Sequence, residues 1–101
     1  SKQKKTLMLK HIVMFQRKPE VSKAEFDAVI ARFEFLADEI SEISSWWFRI
    51  PEEPTAPYQA GFVSEFVDEA ALEAYQIHPA HQKLASAAGT VATAAVFDAW
   101  N

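Results

Sequence analysis

Residues 75–81, Tyr-Gln-Ile-His-Pro-Ala-His, hold one of the two tyrosines and two of the three histidines in the chain. A phenol and an imidazole held close together can bind a carbonyl compound and move its protons. Neutral imidazole, with a reference pKa of about 6.5, accepts and returns a proton near working pH. A phenol, at about 10, stays protonated and donates to an oxygen on which enolate charge develops. His81 is therefore the candidate general base and Tyr75 the candidate donor. His11, facing inward on the first strand, is the candidate for positioning a substrate or relaying a proton. Each has a plainer competitor: Tyr75 and His11 as packed core residues with satisfied polar atoms, and His78 as a helix cap.

Other chemistries have less support. His78 and His81 stand three apart, a spacing that can put two metal ligands on one helical face, but Pro79 interrupts it and no carboxylate completes a familiar motif. Neither a metal nor a cofactor is expected, and nothing in the histidine pattern favours haem. The chain has no cysteine, which removes disulfides, thiolate nucleophiles and cysteine-type zinc sites. There is no Gly-x-Ser-x-Gly elbow, and Gly61 and Gly89, the two glycines, cannot form a phosphate-cradling loop.

The elements that must position these residues follow from local rules. The residue before a proline is pushed out of the helical region, so the helix reaching from Asp68 to Ile77 ends near His78. Proline is well tolerated at a first helical position, so a second helix starts at Pro79, runs over Ala80–Ala88, and stops at Gly89. The corner brings Tyr75 and His81 together. Upstream, Leu7 to Arg17 alternates as a strand, with Leu7, Leu9, His11, Val13 and Phe15 on one face. The other face, including Ile12 and Met14, is also apolar, so the strand is covered on both sides. Ser22-Lys23-Ala24-Glu25 is a capping-box signature opening a helix over 22–41. Along it Phe26, Val29, Ile30, Phe33, Ala37 and Ile40 recur at helical spacing. Ser44–Ile50, with Trp46, Trp47 and Phe48, is the second strand; its aromatics suit core and interface. Tyr58–Val67 is the third strand, where Gly61 marks a bulge or a close backbone approach. Val91–Trp100 is the last.

The order βαββαβ implies an α+β, ferredoxin-like fold: a four-stranded antiparallel sheet with its helices on one face. The uncovered apolar face then calls for a second copy, giving a homodimeric α+β barrel with a ligand site inside. Composition agrees. At 101 residues, with 50% hydrophobic residues and thirteen aromatics, the chain carries more apolar surface than one small domain can bury. Residues 7–101 are read as that single domain. Residues 1–6 are read as a flexible basic tail, and the net charge of −4 argues against a nucleic-acid partner. With no run of 18 apolar residues there is no membrane span, and a cytoplasmic location is expected.

Four segments together resemble the stress-responsive A/B barrel (Dabb) family. They are Lys10-His11-Ile12-Val13-Met14-Phe15; Val63-Ser64-Glu65-Phe66 followed by Asp68-Glu69 and Leu72; Ala74-Tyr75-Gln76-Ile77-His78-Pro79-Ala80-His81; and Val96-Phe97-Asp98. The Tyr-x-x-His-Pro-x-His corner is the specific part. The resemblance implies a dimeric α+β barrel. It is similar in its corner to olivetolic acid cyclase, whose catalytic tyrosine and histidine match Tyr75 and His81, and whose first-strand histidine matches His11. The third strand departs, with Ala60 where the cyclase has a further pocket histidine, so the resemblance implies the pocket and not the same substrate. Two functions follow as expectations. One is a cofactor-free cyclase, isomerase or lyase acting on a small apolar carbonyl compound. The other is a non-catalytic barrel, either a hydrophobic-ligand binder or a stress-associated structural protein.

Overall fold

In the computed structural model the described residues are 7–54 and 57–101; the basic tail expected over 1–6 lies outside them. Strand β1 (Leu9–Arg17) is followed by helix α1 (Lys23–Ile30) and a 3-10 segment (Ala31–Asp38). Then come β2 (Ser45–Arg49), β3 (Ala60–Phe66), α2 (Glu69–Ile77), α3 (Pro79–Gly89) and β4 (Ala92–Trp100). The strands lie in the order β2-β3-β1-β4 with every neighbouring pair antiparallel. This is the expected ferredoxin-like sheet.

Alternation along the strands decides which side each residue takes. Leu9, Val13 and Phe15 of β1, with Ala60, Phe62 and Phe66 of β3, are buried beneath the helices. His11 and Ser64 lie in the same rows and are the buried polar residues among those described. On the reverse face Trp47 pairs with Val63, Val63 with Ile12, and Ile12 with Phe97. One apolar row therefore crosses all four strands, and Trp47 and Phe97 at its two ends stand exposed. Gly61 sits beside this row with no bulge in the ladder. A Cβ there would approach the Val13 carbonyl oxygen to 2.9 Å, so the close approach of the two central strands is what requires glycine.

The strands are shorter than the alternation suggests. β1 begins at Leu9 and not Leu7, and β2 falls one residue short of Ser44 and Ile50 at its ends. β3 spans Ala60–Phe66 and not Tyr58–Val67, and β4 starts at Ala92, one residue after Val91. The larger correction concerns the first helix. Its capping box forms as read, with the Ser22 side chain accepting the Glu25 N–H and Glu25 reaching back to Ser22. Helical geometry changes at Ile30, however, and the next turns are 3-10. Ile30, Phe33 and Leu36 recur every three residues and are each at most 2% exposed. A helix with three residues per turn keeps that series on one line, and so buries Leu36, where an α-helical stripe would place Ala37.

Candidate functional site

Two short helices meeting at His78 build the site. Asp68 caps α2, its carboxylate accepting the Ala71 N–H at 2.8 Å, and Leu72 and Tyr75 form the buried stripe of that helix. His78 itself is extended (φ −62°, ψ 135°), as a residue before proline should be. Its Nδ1 accepts the Ala80 N–H at 3.1 Å, so His78 is the N-cap of α3 and Pro79 the first helical residue. At the far end Gly89 is the last helical residue, and Thr90 is the cap.

The reversal at His78 folds the first turn of α3 back over the last turn of α2. His81 Nδ1 lies 3.0 Å from the Gln76 carbonyl oxygen. A carbonyl can only accept, so Nδ1 carries the proton and Nε2 is left as the basic nitrogen. The His81 ring centroid is 4.4 Å from that of Tyr75, and the His11 ring centroid is 5.8 Å from it. The structure thus brings together the three residues singled out for chemistry. It also places His78 at their corner as a cap.

Burial sets the protonation states. Tyr75 is fully buried among His11, Trp46, Phe66 and His81, which pushes its phenol well above the ordinary value and keeps it protonated. Its hydroxyl has no hydrogen-bond partner among the described residues, an uncommon condition for a buried polar group. His81 is held below the ordinary imidazole value, first by burial. The Gln76 carbonyl opposes that shift, while the charges His11 and His78 carry when protonated add to it.

His11 has a partner that was not singled out from sequence. Asp98 stands directly across from it in the β1–β4 register, and the carboxylate oxygen is 2.5 Å from His11 Nδ1. An ionised carboxylate can only accept, so this contact fixes the proton on Nδ1 and leaves Nε2 as the free ring nitrogen. The signal in the sequence was a lone acid in an apolar strand; its register with His11 was not readable there.

A half-open cavity of about 320 Å³ adjoins these groups, bounded by the inner face of β1 and β4 and by α3. His11, His81 and Gln76 are its polar lining; the remainder is alkyl, aromatic or glycine. Tyr75 is not a lining residue and lies behind the His81 and His11 rings. The aromatic strand β2 divides its residues. Phe48 is core, Trp46 stacks on Phe62 at 4.3 Å and donates its indole N–H to the Phe33 carbonyl, and Trp47 belongs to the open sheet face. None of the three lines the cavity. Among the described residues no group of three or more His, Cys, Asp or Glu is gathered closely enough to hold a metal ion, and no helix is long and apolar enough to cross a membrane.

Comparison with known proteins places the fold. A family model described as Stress responsive A/B Barrel Domain (Dabb) matches residues 9–101. A dimeric protein of unknown function with a ferredoxin-like fold from Bacteroides fragilis is 26% identical. The match covers 91% of this chain and 94% of that one, with a TM-score of 0.80. A dimeric ferredoxin-like protein of unknown function from Jannaschia sp. is 27% identical over 91% of this chain and 97% of its own, with a TM-score of 0.72. Hydroxynitrile lyase from Passiflora edulis shares the fold at 18% identity, covering 93% of each chain with a TM-score of 0.77. No curated protein sequence matches the chain.

Proposed function

The chain belongs to the stress-responsive A/B barrel (Dabb) family, and from that premise we propose that it is a cofactor-free enzyme acting by proton transfer on a small, largely apolar carbonyl compound. The observation that carries this reading is the convergence of His11, Tyr75 and His81 beside the apolar cavity, with ring centroids 5.8 and 4.4 Å apart. His81 is the general base: neutral, with Nε2 free while Gln76 holds Nδ1. It removes a proton next to the substrate carbonyl and returns it to the product. Tyr75 is the neutral donor to the oxygen that gains charge, a role that suits a protonated hydroxyl with no other partner and that requires the His81 and His11 rings in front of it to give way when substrate enters. His11, oriented by Asp98, positions the substrate. Aldol-type cyclisation, keto–enol isomerisation and β-eliminating lyase cleavage all begin from such a proton transfer.

We further propose a homodimer. Relatives of this fold are dimeric, and the Trp47–Val63–Ile12–Phe97 row supplies an apolar face for a second copy. The competing reading, a non-catalytic binder of hydrophobic ligands, draws on one observation: Tyr75 does not line the cavity.

Tyr75→Phe and His81→Ala test the choice. Both variants are expected to remain folded, because the first removes a hydroxyl that has no partner and the second a ring that partly faces the cavity. As an enzyme, the protein should exchange the α-protons of a bound ketone with deuterium, and each substitution should lower that rate by about a hundredfold or more. Binding without exchange in the wild type would establish the binder instead.

A further inference from the structure

The cavity is directional. Beginning at His11, β1 presents Val13 and then Phe15 to it, about 13 Å of strand at 3.3 Å per residue. On the opposite wall α3 presents His81, then Ala85, then Ala88, about 10 Å of helix at 1.5 Å per residue. The two walls run in the same direction. His11 and His81 meet at Tyr75, whereas Lys18, just beyond β1, donates its ammonium to the Gly89 carbonyl at the other end of α3. All the polar lining side chains except Gln76 are the two histidines at the first end, and Gln76 sits one residue from Tyr75. From there the walls are alkyl and aromatic.

Its charge is equally one-sided. Among the described residues no lysine or arginine lines it, and Lys18, half-buried, lies outside it. At the polar end the Asp98 carboxylate backs His11. Whether His11 carries its second proton or not, the His11–Asp98 pair is at most neutral. A carboxylate entering here would give up part of its water and gain no cation, so its binding is penalised. A carbonyl oxygen needs only a hydrogen-bond donor, which the Gln76 side-chain amide supplies at this end, and a hydroxyl can donate to Nε2 of either histidine. With about 30 Å³ for each water-sized group, the volume admits about ten non-hydrogen atoms.

We infer that the site takes an uncharged, single-ended ligand: one carbonyl or hydroxyl at the His11–His81 end and an unbranched or flat apolar tail along Ala85 and Ala88, with carboxylates refused. The inference rests on the proposed reading of this cavity as the ligand site and adds the charge, polarity and direction of what enters it. Burial holding His81 below the ordinary imidazole value acts in the same sense, since it withholds a cation from the polar end.

Titration of the full chain with heptyl methyl ketone, propyl methyl ketone and octanoate, followed through the ring C–H resonances of His11 and His81 at mildly alkaline pH, tests it. The long ketone should bind at least about tenfold more tightly than either other compound, and Ala85→Leu should erase its advantage over the short ketone. Ala85 is exposed at the cavity mouth, so this variant keeps the fold. Octanoate binding as tightly as the long ketone would overturn the charge inference while leaving the cavity as a ligand site. An unchanged preference for the long ketone in Ala85→Leu would overturn the tail placement. If none of the three shifts either histidine, both this inference and the reading beneath it fail.

Discussion

At the scale of single residues, the site works through what burial does to two groups of opposite kind. Burial disfavours the charged form in each case. Tyr75 is thereby kept a proton donor and His81 a proton acceptor. For His81 the folded value lies below the unfolded one, so the unfolded chain binds the proton more readily. The stability contributed by neutral His81 is present in full above about pH 6.5 and is lost as pH falls through the window beneath it. Urea denaturation of wild type and His81→Ala between about pH 7.5 and about pH 5 measures this directly. The wild type should lose stability more steeply on acidification. The two proteins differ only at this position, so the difference in slope belongs to His81, and parallel curves would remove burial as the cause.

At the scale of elements, the corner depends on His78 more than its chemistry suggests. The ring is an acceptor for the first exposed N–H of α3, which lets one residue end α2, precede Pro79 and start the next helix. His78→Ala should cost about 1 kcal/mol, and His78→Asn, which restores a side-chain acceptor, should recover most of it. Chemical denaturation of the two variants checks the order. A loss from His78→Ala that asparagine does not recover would show that the ring's packing matters and its acceptor does not. The capping box at Ser22 and the Asp68 cap obey the same logic at the other helix starts.

At the scale of the molecule, the helices cover one face of the sheet only. The Trp47–Val63–Ile12–Phe97 row on the reverse face is too long and too apolar to be left in water. Sedimentation at micromolar concentration should give about twice 11.4 kDa. Introducing Trp47→Glu together with Phe97→Glu, both exposed in the single chain, should shift the species to the monomer mass. A wild-type monomer would contradict the use of this face.

Much of the architecture was written in local rules. The alternation from Leu9 to Phe15, the caps at Ser22 and Asp68 and the break imposed by Pro79 each act within a few residues, and so place β1, the helix starts and the Tyr75–His81 corner from sequence alone. The 3-10 turns after Ile30 were not legible, because Leu36 and Ala37 are equally good helix formers and only the packing surface chooses between them. His11 was legible as an inward histidine, but its bond to Asp98 spans 87 positions. It depends on the register in which β4 adds to β1, which no local signal sets. Tertiary packing alone put Tyr75 behind His81 and left the space between α3 and the inner face of β1 unfilled. Whether side chains fill such a space depends on how far apart two elements distant in sequence come to rest, and in this chain small residues at Ala85, Ala88, Ala92 and Ala94 leave it open.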